Sequence, residues 1–206
     1  MVLPDRIVLA SGNAGKVREI NEMLAGHEVR IVSQSEFNVA AIEETGLTFV
    51  ENALLKARHA ARHTGLPAIA DDSGIELDAL DGRPGIYSAR YAGTGAGDAD
   101  NLQKLMDEVA QLPEDKRGCR FVCLMVYLRH AEDPIPLIAE GLWEGIAVTT
   151  PAGTNGFGYD PMFYVPTHHR TSAELPPKTK NRISHRGQAL RRLVTRLQVL
   201  YPAHAG

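Results

Sequence analysis

Several things are scarce in these 206 residues, and each scarcity closes off a class of protein. No stretch approaches the roughly 18 uninterrupted apolar residues of a membrane helix, so a membrane-spanning protein is not expected. The opening segment Met1-Val2-Leu3-Pro4-Asp5-Arg6 has no basic region leading into an apolar signal core, so the expected location is the cytoplasm. There are only two cysteines, Cys119 and Cys123, four positions apart in an apolar run. Strand residues that close in sequence cannot fold back to form a bridge, and the spacing suits no zinc knuckle, so both read as free thiols in the core. Positive charge is also scarce: 22 Lys and Arg against 25 Asp and Glu leave a net charge of -3. No broad positive field is available to neutralise a nucleic-acid backbone, which disfavours a polymer partner. A few lysines converging on one small phosphorylated ligand remain compatible with that balance.

What is present is an ordinary globular composition, 44% hydrophobic and 23% charged, at a length that sustains one substantial core or two small lobes sharing one; a single domain is the starting expectation. The periodicity alternates between strand and helix. Arg6 to Ala10 is a short apolar strand; after the small residues Ser11 to Gly15, Val17, Ile20, Met23 and Leu24 recur with helical spacing. A helix is predicted from Thr48, which stands three residues before Glu51 as in a capping box, to about His63, with Gly65 and Pro67 ending it. Leu66 to Ala70 reads as a strand entering a turn at Asp71-Asp72-Ser73-Gly74, and Ile75, Leu77 and Ala79 as a half-buried strand leaving it.

Beyond the glycine-rich stretch from Asp81 to Asp100, Leu102, Leu105, Met106 and Val109 mark another amphipathic helix. Arg120 to Leu128 is the clearest strand, and a turn at Pro134 and Pro136 leads to a second, Leu137 to about Val148, as an antiparallel neighbour. The sheet is therefore expected to be mixed. A strand near Met162 to Val165, a proline-bearing loop to Ile183 and a helix from Ser184 with Leu190, Leu193, Val194 and Leu197 inward complete the chain.

Five segments carry chemical content. Ser11-Gly12-Asn13-Ala14-Gly15-Lys16 lies at a strand-to-helix junction, where free N–H groups and the helix dipole favour a phosphate and Lys16 adds a full charge. It is not a Walker loop, since its glycines are too close and Val17 stands where a metal-binding hydroxyl belongs; the alternative is an ordinary tight turn. On the helix after Thr48, Asn52, Lys56, His59 and His63 share one face opposite Ala53, Ala57 and Ala60; for the two histidines a solvated face is the simpler reading.

Asp71 and Asp72 suit either turn capping or a magnesium ion, which takes one or two carboxylates plus water and phosphate oxygens, with Glu43 and Glu44 able to add another. In Gly156-Phe157-Gly158-Tyr159-Asp160-Pro161 an aromatic ring between two glycines either stacks on a flat ligand or fills the core. Lys180, His185 and Arg186 put hydrogen-bond donors at the start of the last helix, where the dipole disfavours them, and so point to a site.

Taken together, Ser-Gly-Asn-x-x-Lys (11–16), Glu-Thr-Gly-x-Thr-Phe-x-Glu-Asn-Ala (44–53), Asp-Asp-Ser-Gly (71–74), Gly-Phe-Gly-Tyr-Asp-Pro (156–161) and Ser-His-Arg (184–186) resemble, in order, the motifs of the inosine triphosphate pyrophosphatase family. The resemblance implies an α/β protein with a long mixed sheet flanked by helices, two lobes with a central substrate cleft forming a single domain over residues 1–206, and a homodimer.

It also implies Mg²⁺-dependent hydrolysis of ITP, dITP and XTP to monophosphate and pyrophosphate. By the same carry-over, Ser11, Gly12, Asn13, Ala14, Gly15, Lys16 and Lys56 hold the triphosphate, Glu44 and Asp72 hold Mg²⁺, Asp72 activates water and Ser73 adds a substrate contact. Phe157 stacks on the purine, Gly158 and Tyr159 bind the substrate, and Asp160, Lys180, His185 and Arg186 surround the purine edge, reading its 6-oxo group where adenine presents a donor. The rivals are the related pyrophosphatases of modified pyrimidine nucleotides and a catalytically silent nucleotide binder. The one departure from the family pattern is Pro176-Pro177, where a polar helix start is expected.

Overall fold

The computed structural model describes residues 4–11, 17, 20–21 and 29–201. Gly12 to Lys16, and most of the helix expected after them, lie outside these; Val17, Ile20 and Asn21 are helical. In chain order the elements are β1 (Arg6–Leu9), β2 (Arg30–Ser33), α1 (Phe49–Thr64), β3 (Ala68–Leu77), α2 (Asp98–Ala110), β4 (Gly118–Leu128), β5 (Leu137–Ala147), β6 (Phe163–Val165), β7 (Arg170–Thr171), α3 (Pro177–Ile183) and α4 (His185–Leu200). The seven strands form one sheet in the order β2-β1-β3-β4-β5-β6-β7. Pairing is parallel for β1 with β2 and with β3, and antiparallel for β5 with β6 and β6 with β7, so the α/β sheet is mixed as expected. No described helix is long and apolar enough to cross a membrane.

Contacts divide the chain into two compact units. The first comprises residues 1–72, 124–140 and 189–206; the second comprises 73–123 and 141–188.

In the first unit, α1 starts where Thr48 accepts a hydrogen bond from the Glu51 N–H, and it ends at Gly65, whose φ of 68° lets the chain leave in the left-handed region. The Glu51 carboxylate accepts from the Leu47 N–H at 2.9 Å and from the Thr48 hydroxyl at 2.8 Å. The inward face of α1 is Ala53, Ala57 and Ala60, all with no exposed surface, packed in a core with Val8, Val32, Ala68, Ala70, Val126 and Leu128. Methyl groups alone allow the helix to lie close against the strands. In the second unit, Leu105 and Val109 of α2 pack with Ile75, Leu77, Phe121, Trp143, Tyr159 and Phe163. Full burial of each such side chain contributes about 1.5–3 kcal/mol. Both cysteines are buried free thiols, and burial pushes Cys119 up to about 12.

Two expectations are corrected. Asp71 to Gly74 is no turn: β3 runs unbroken through it for 10 residues, nearly all buried. A strand with both faces covered loses the period-two alternation that separates strand from turn in a sequence, and the acidic pair imitates turn chemistry. The proline-bearing stretch before Ile183 is not wholly loop either, because it contains β7, short 3₁₀ turns and α3. Pro176 caps α3 and Pro177 is its first residue, where the missing N–H costs nothing and the fixed φ suits the helix. The di-proline is thus itself the helix start that carries Lys180.

Candidate active site

In the first unit, β1 ends at Leu9, paired with Ile69, while β3 continues past it. Asp71 and Asp72 therefore stand beyond the carboxyl end of a parallel strand, where ligands of α/β proteins gather, although they do not end their own strand. The Lys56 ammonium of α1 lies 2.7 Å from Glu44 Oε1 and 2.7 Å from Asp72 Oδ1. These side chains are largely shielded, at 16% exposed for Lys56, 25% for Glu44 and 10% for Asp72.

Asn52, fully buried one turn earlier on α1, donates to Asp72 Oδ2 at 3.3 Å and accepts from the Gly46 N–H at 2.8 Å. It thereby ties the loop carrying Glu44 to the strand carrying Asp72. A cavity of about 240 Å³ is lined by Ala10, Ser11, Gln34, Ala41, Ile42, Glu44, Lys56 and Asp71. The polar face of α1 grades outward from Asn52 to His63, which is exposed as expected; His59 is half-buried and bonds the Ala40 carbonyl.

Burial raises the carboxyl of Asp72 above its ordinary range, a push that the Lys56 charge opposes and the Glu44 charge reinforces. Burial works against the Lys56 charge, yet attraction to Asp72 and Asp71 prevails and raises it. The two move upward for different reasons: burial dominates at Asp72, and attraction to the neighbouring aspartates dominates over burial at Lys56. Among the described residues, no group of three or more His, Cys, Asp and Glu side chains is arranged to hold a metal ion.

In the second unit a pocket of about 120 Å³ is lined by Ser73, Phe157, Gly158, Tyr159, Asp160, Lys180, His185 and Arg186, all of them expected site residues, together with Gly74, Ser88, Ala89, Asp98 and Phe121. The Phe157 ring is 53% exposed. Lys180 Nζ lies 5.5 Å and the Arg186 guanidinium carbon 5.6 Å from its centroid. It is thus an open stacking surface edged by cations, not a core aromatic. Asp160, buried, accepts from the Phe157 N–H at 2.8 Å, from the Ser172 hydroxyl and from Lys180.

Gly156 has a φ of 82°, and a Cβ there would lie 2.0 Å from Asp160 Oδ2. Only glycine lets the loop close over that carboxylate. The His185 ring stacks on Phe121 with centroids 4.7 Å apart and planes 11° apart. Arg186 donates to Ser73 Oγ at 3.2 Å. Ser184 serves both helices, ending α3 and accepting from the Gly187 N–H to cap α4, which sets His185 and Arg186 at the first turn. Tyr159 is buried and donates to the Ser88 carbonyl at 2.7 Å.

Asn52, Ser88, Asp98 and Phe121 were not singled out as site residues from the sequence. Asn52 gave a signal, since it shares the helix face of Lys56. Asp98, whose carboxylate accepts from the Gly158 N–H at 3.0 Å, gave none, because sixty residues separate the two.

A family model described as the Ham1 family matches residues 7–196. A dITP/XTP pyrophosphatase of Thioalkalivibrio sulfidiphilus is 61% identical over 194 residues, covering 94% of this chain and 98% of that protein. One of Yersinia pseudotuberculosis is 58% identical over 193 residues with the same coverage. Among solved structures, a HAM1 protein from Coxiella burnetii superposes with a TM-score of 0.88 at 52% identity, covering 97% of this chain and 100% of that one. The motifs met in the sequence, the fold and these full-length likenesses agree, and the chain belongs to the Ham1 family.

Proposed function

We propose that this chain is a Mg²⁺-dependent pyrophosphatase that hydrolyses ITP, dITP and XTP to the nucleoside monophosphate and pyrophosphate, clearing deaminated purines from the nucleotide pool. The observation that carries the reading is the chemistry of two sites on one chain. The first unit has carboxylates clustered on a lysine, and the second has an exposed ring bordered by donors, with full-length relatives named dITP/XTP pyrophosphatases.

The donor set fits magnesium. Two carboxylates, Glu44 and Asp72, meet at Lys56, and Mg²⁺ takes one or two such hard oxygen donors with water and phosphate completing its shell. Glu44 and Asp72 would hold it, and when bound it would offset the charge on the phosphate oxygens.

Lys56 and Ser11, with Gly12 to Lys16, hold the triphosphate. Asp72 orients a water for attack on the α-phosphorus; the new P–O bond forms as the bond to the bridging oxygen breaks, pyrophosphate leaves, and the proton of the water passes to solvent. Phe157 stacks on the purine. Lys180, His185 and Arg186 donate to the 6-oxo group, Asp160 holds Lys180 in place, and Ser73 anchors Arg186. A buried donor left facing the amino group of adenine costs on the order of 1–3 kcal/mol, so several such contacts reject ATP. We further propose that the two units work as one catalytic domain and that the protein is a cytoplasmic homodimer, which light scattering tests for assembly.

Pyrophosphate release from ITP, XTP, GTP, ATP and dTTP, each with Mg²⁺ and with EDTA, tests the activity. Metal-dependent release selective for ITP and XTP is expected; release preferring dTTP, or none at all, refutes it.

A further inference from the structure

The Phe157 ring is 53% exposed, so packing fixes little of it, and the glycines on both sides lie in the left-handed region, with φ of 82° at Gly156 and 59° at Gly158. Glycine restricts its backbone less than any other residue. The direction of the ring therefore depends on the hydrogen bonds that hold its segment.

Two carboxylates take consecutive N–H groups there. Asp160 accepts from Phe157 at 2.8 Å, a bond local to the loop, and Asp98 accepts from Gly158 at 3.0 Å, a bond to another element. Asp98 is the first residue of α2, where the positive end of the helix dipole favours a carboxylate. That end of α2 is itself anchored. Asn101, 2% exposed, accepts from the Ala92 N–H at 2.8 Å, donates to the Ala89 carbonyl at 3.2 Å and gives its own N–H to the Gly97 carbonyl. Ala89 and Asp98 line the same pocket as Phe157.

We propose that Asp98 is a positioning residue for base recognition: by holding the Gly158 N–H against α2, it keeps the Phe157 ring in the orientation that receives the purine. Without that bond the loop spreads over the conformations its glycines allow, and ligand binding has to order it again. The inference rests on the reading that Phe157 stacks on the purine.

The test is a double-mutant cycle on the full chain, read as kcat and KM for ITP. Asp98→Ala is expected to raise KM about fivefold, the scale of one exposed hydrogen bond to a charged group, with kcat within twofold of the parent. Asp98→Asn, whose side-chain oxygen still accepts the Gly158 N–H, is expected to keep KM within twofold. In a Phe157→Ala background, which raises KM by itself, Asp98→Ala should add less than twofold, because the ring it positions is gone. A KM unchanged by Asp98→Ala, an Asp98→Asn variant as impaired as Asp98→Ala, or an effect of the same size with and without the ring overturns the proposal. The second of these points to the charge of Asp98 and the third to a role independent of Phe157. A KM unchanged by Phe157→Ala alone refutes the stacking reading itself, and the proposal falls with it.

Discussion

The two units solve different recognition problems with different materials. The first concentrates charge: Glu44 and Asp72 lie against Lys56, burial raises the carboxyl of Asp72, and the charges of Asp72 and Asp71 raise Lys56. The second presents a flat ring and a row of donors, and its acidic members are engaged: Asp160 with Ser172, Lys180 and the backbone of its own loop, Asp98 with the Gly158 N–H. On the proposed function, the difference teaches that phosphate chemistry and base recognition would depend on separate residues. Consecutive positions of β3, Asp72 and Ser73, belong one to each unit.

The sharpest way to break that division is Asp72→Asn. It removes a charge at nearly constant volume, and turnover of ITP is expected to fall by about two to three orders of magnitude while nucleotide affinity changes little. Steady-state kinetics with equilibrium binding checks this, and a variant as active as the parent would remove Asp72 from the chemistry. Next in size, Gly156→Ala forces a Cβ against Asp160 from a φ of 82°. A stability loss of about 1–3 kcal/mol is expected. Loss of inosine binding with pyrophosphate binding retained, read by denaturation and calorimetry, would sharpen the comparison; equal loss of both ligands would break it.

Arg186→Ala is expected to narrow the preference for ITP over ATP by about tenfold, with a smaller effect on the rate for ITP. The ratio of kcat/KM values checks it, and equal losses for both substrates count against a role at the purine edge.

The smallest effect belongs to a residue in neither site. The Arg129 hydrogen bond holds the Asp133 carboxyl well below its usual range, so the stability it contributes is present above the unfolded value near 3.8 and is lost as pH falls below it. Asp133→Asn should leave activity at pH 7 unchanged and lower Tm there. The gap from the parent should close as the pH is taken below 4.

The regular parts of the fold were open to reading because their signals are local. Thr48 and Gly65 bracket α1 through their own hydrogen bonds and φ, and the apolar spacing of α2 and α4 matches the faces they bury. The motif residues Phe157, Lys180, His185 and Arg186 announced themselves as a ring between glycines and as donors at an unfavourable helix end. The errors have physical causes too. Asp71 to Gly74 looks like a turn because fully covered strands lack alternation, and Pro176-Pro177 looks like a break because proline is read as ending helices before it is read as starting one.

By itself, then, the sequence determined the strand and helix alternation, the absence of a broad positive field, and the residue types from which phosphate, metal and purine contacts can be made, all of which depend on composition and on spacings of a few residues. Tertiary structure alone decided which of those residues meet. Lys56 lies between Glu44 and Asp72, Asn52 links two of the motifs, and Asp98 reaches across sixty residues to Gly158. Burial and charge at a site are sums over segments distant in the chain, so only the folded packing sets them.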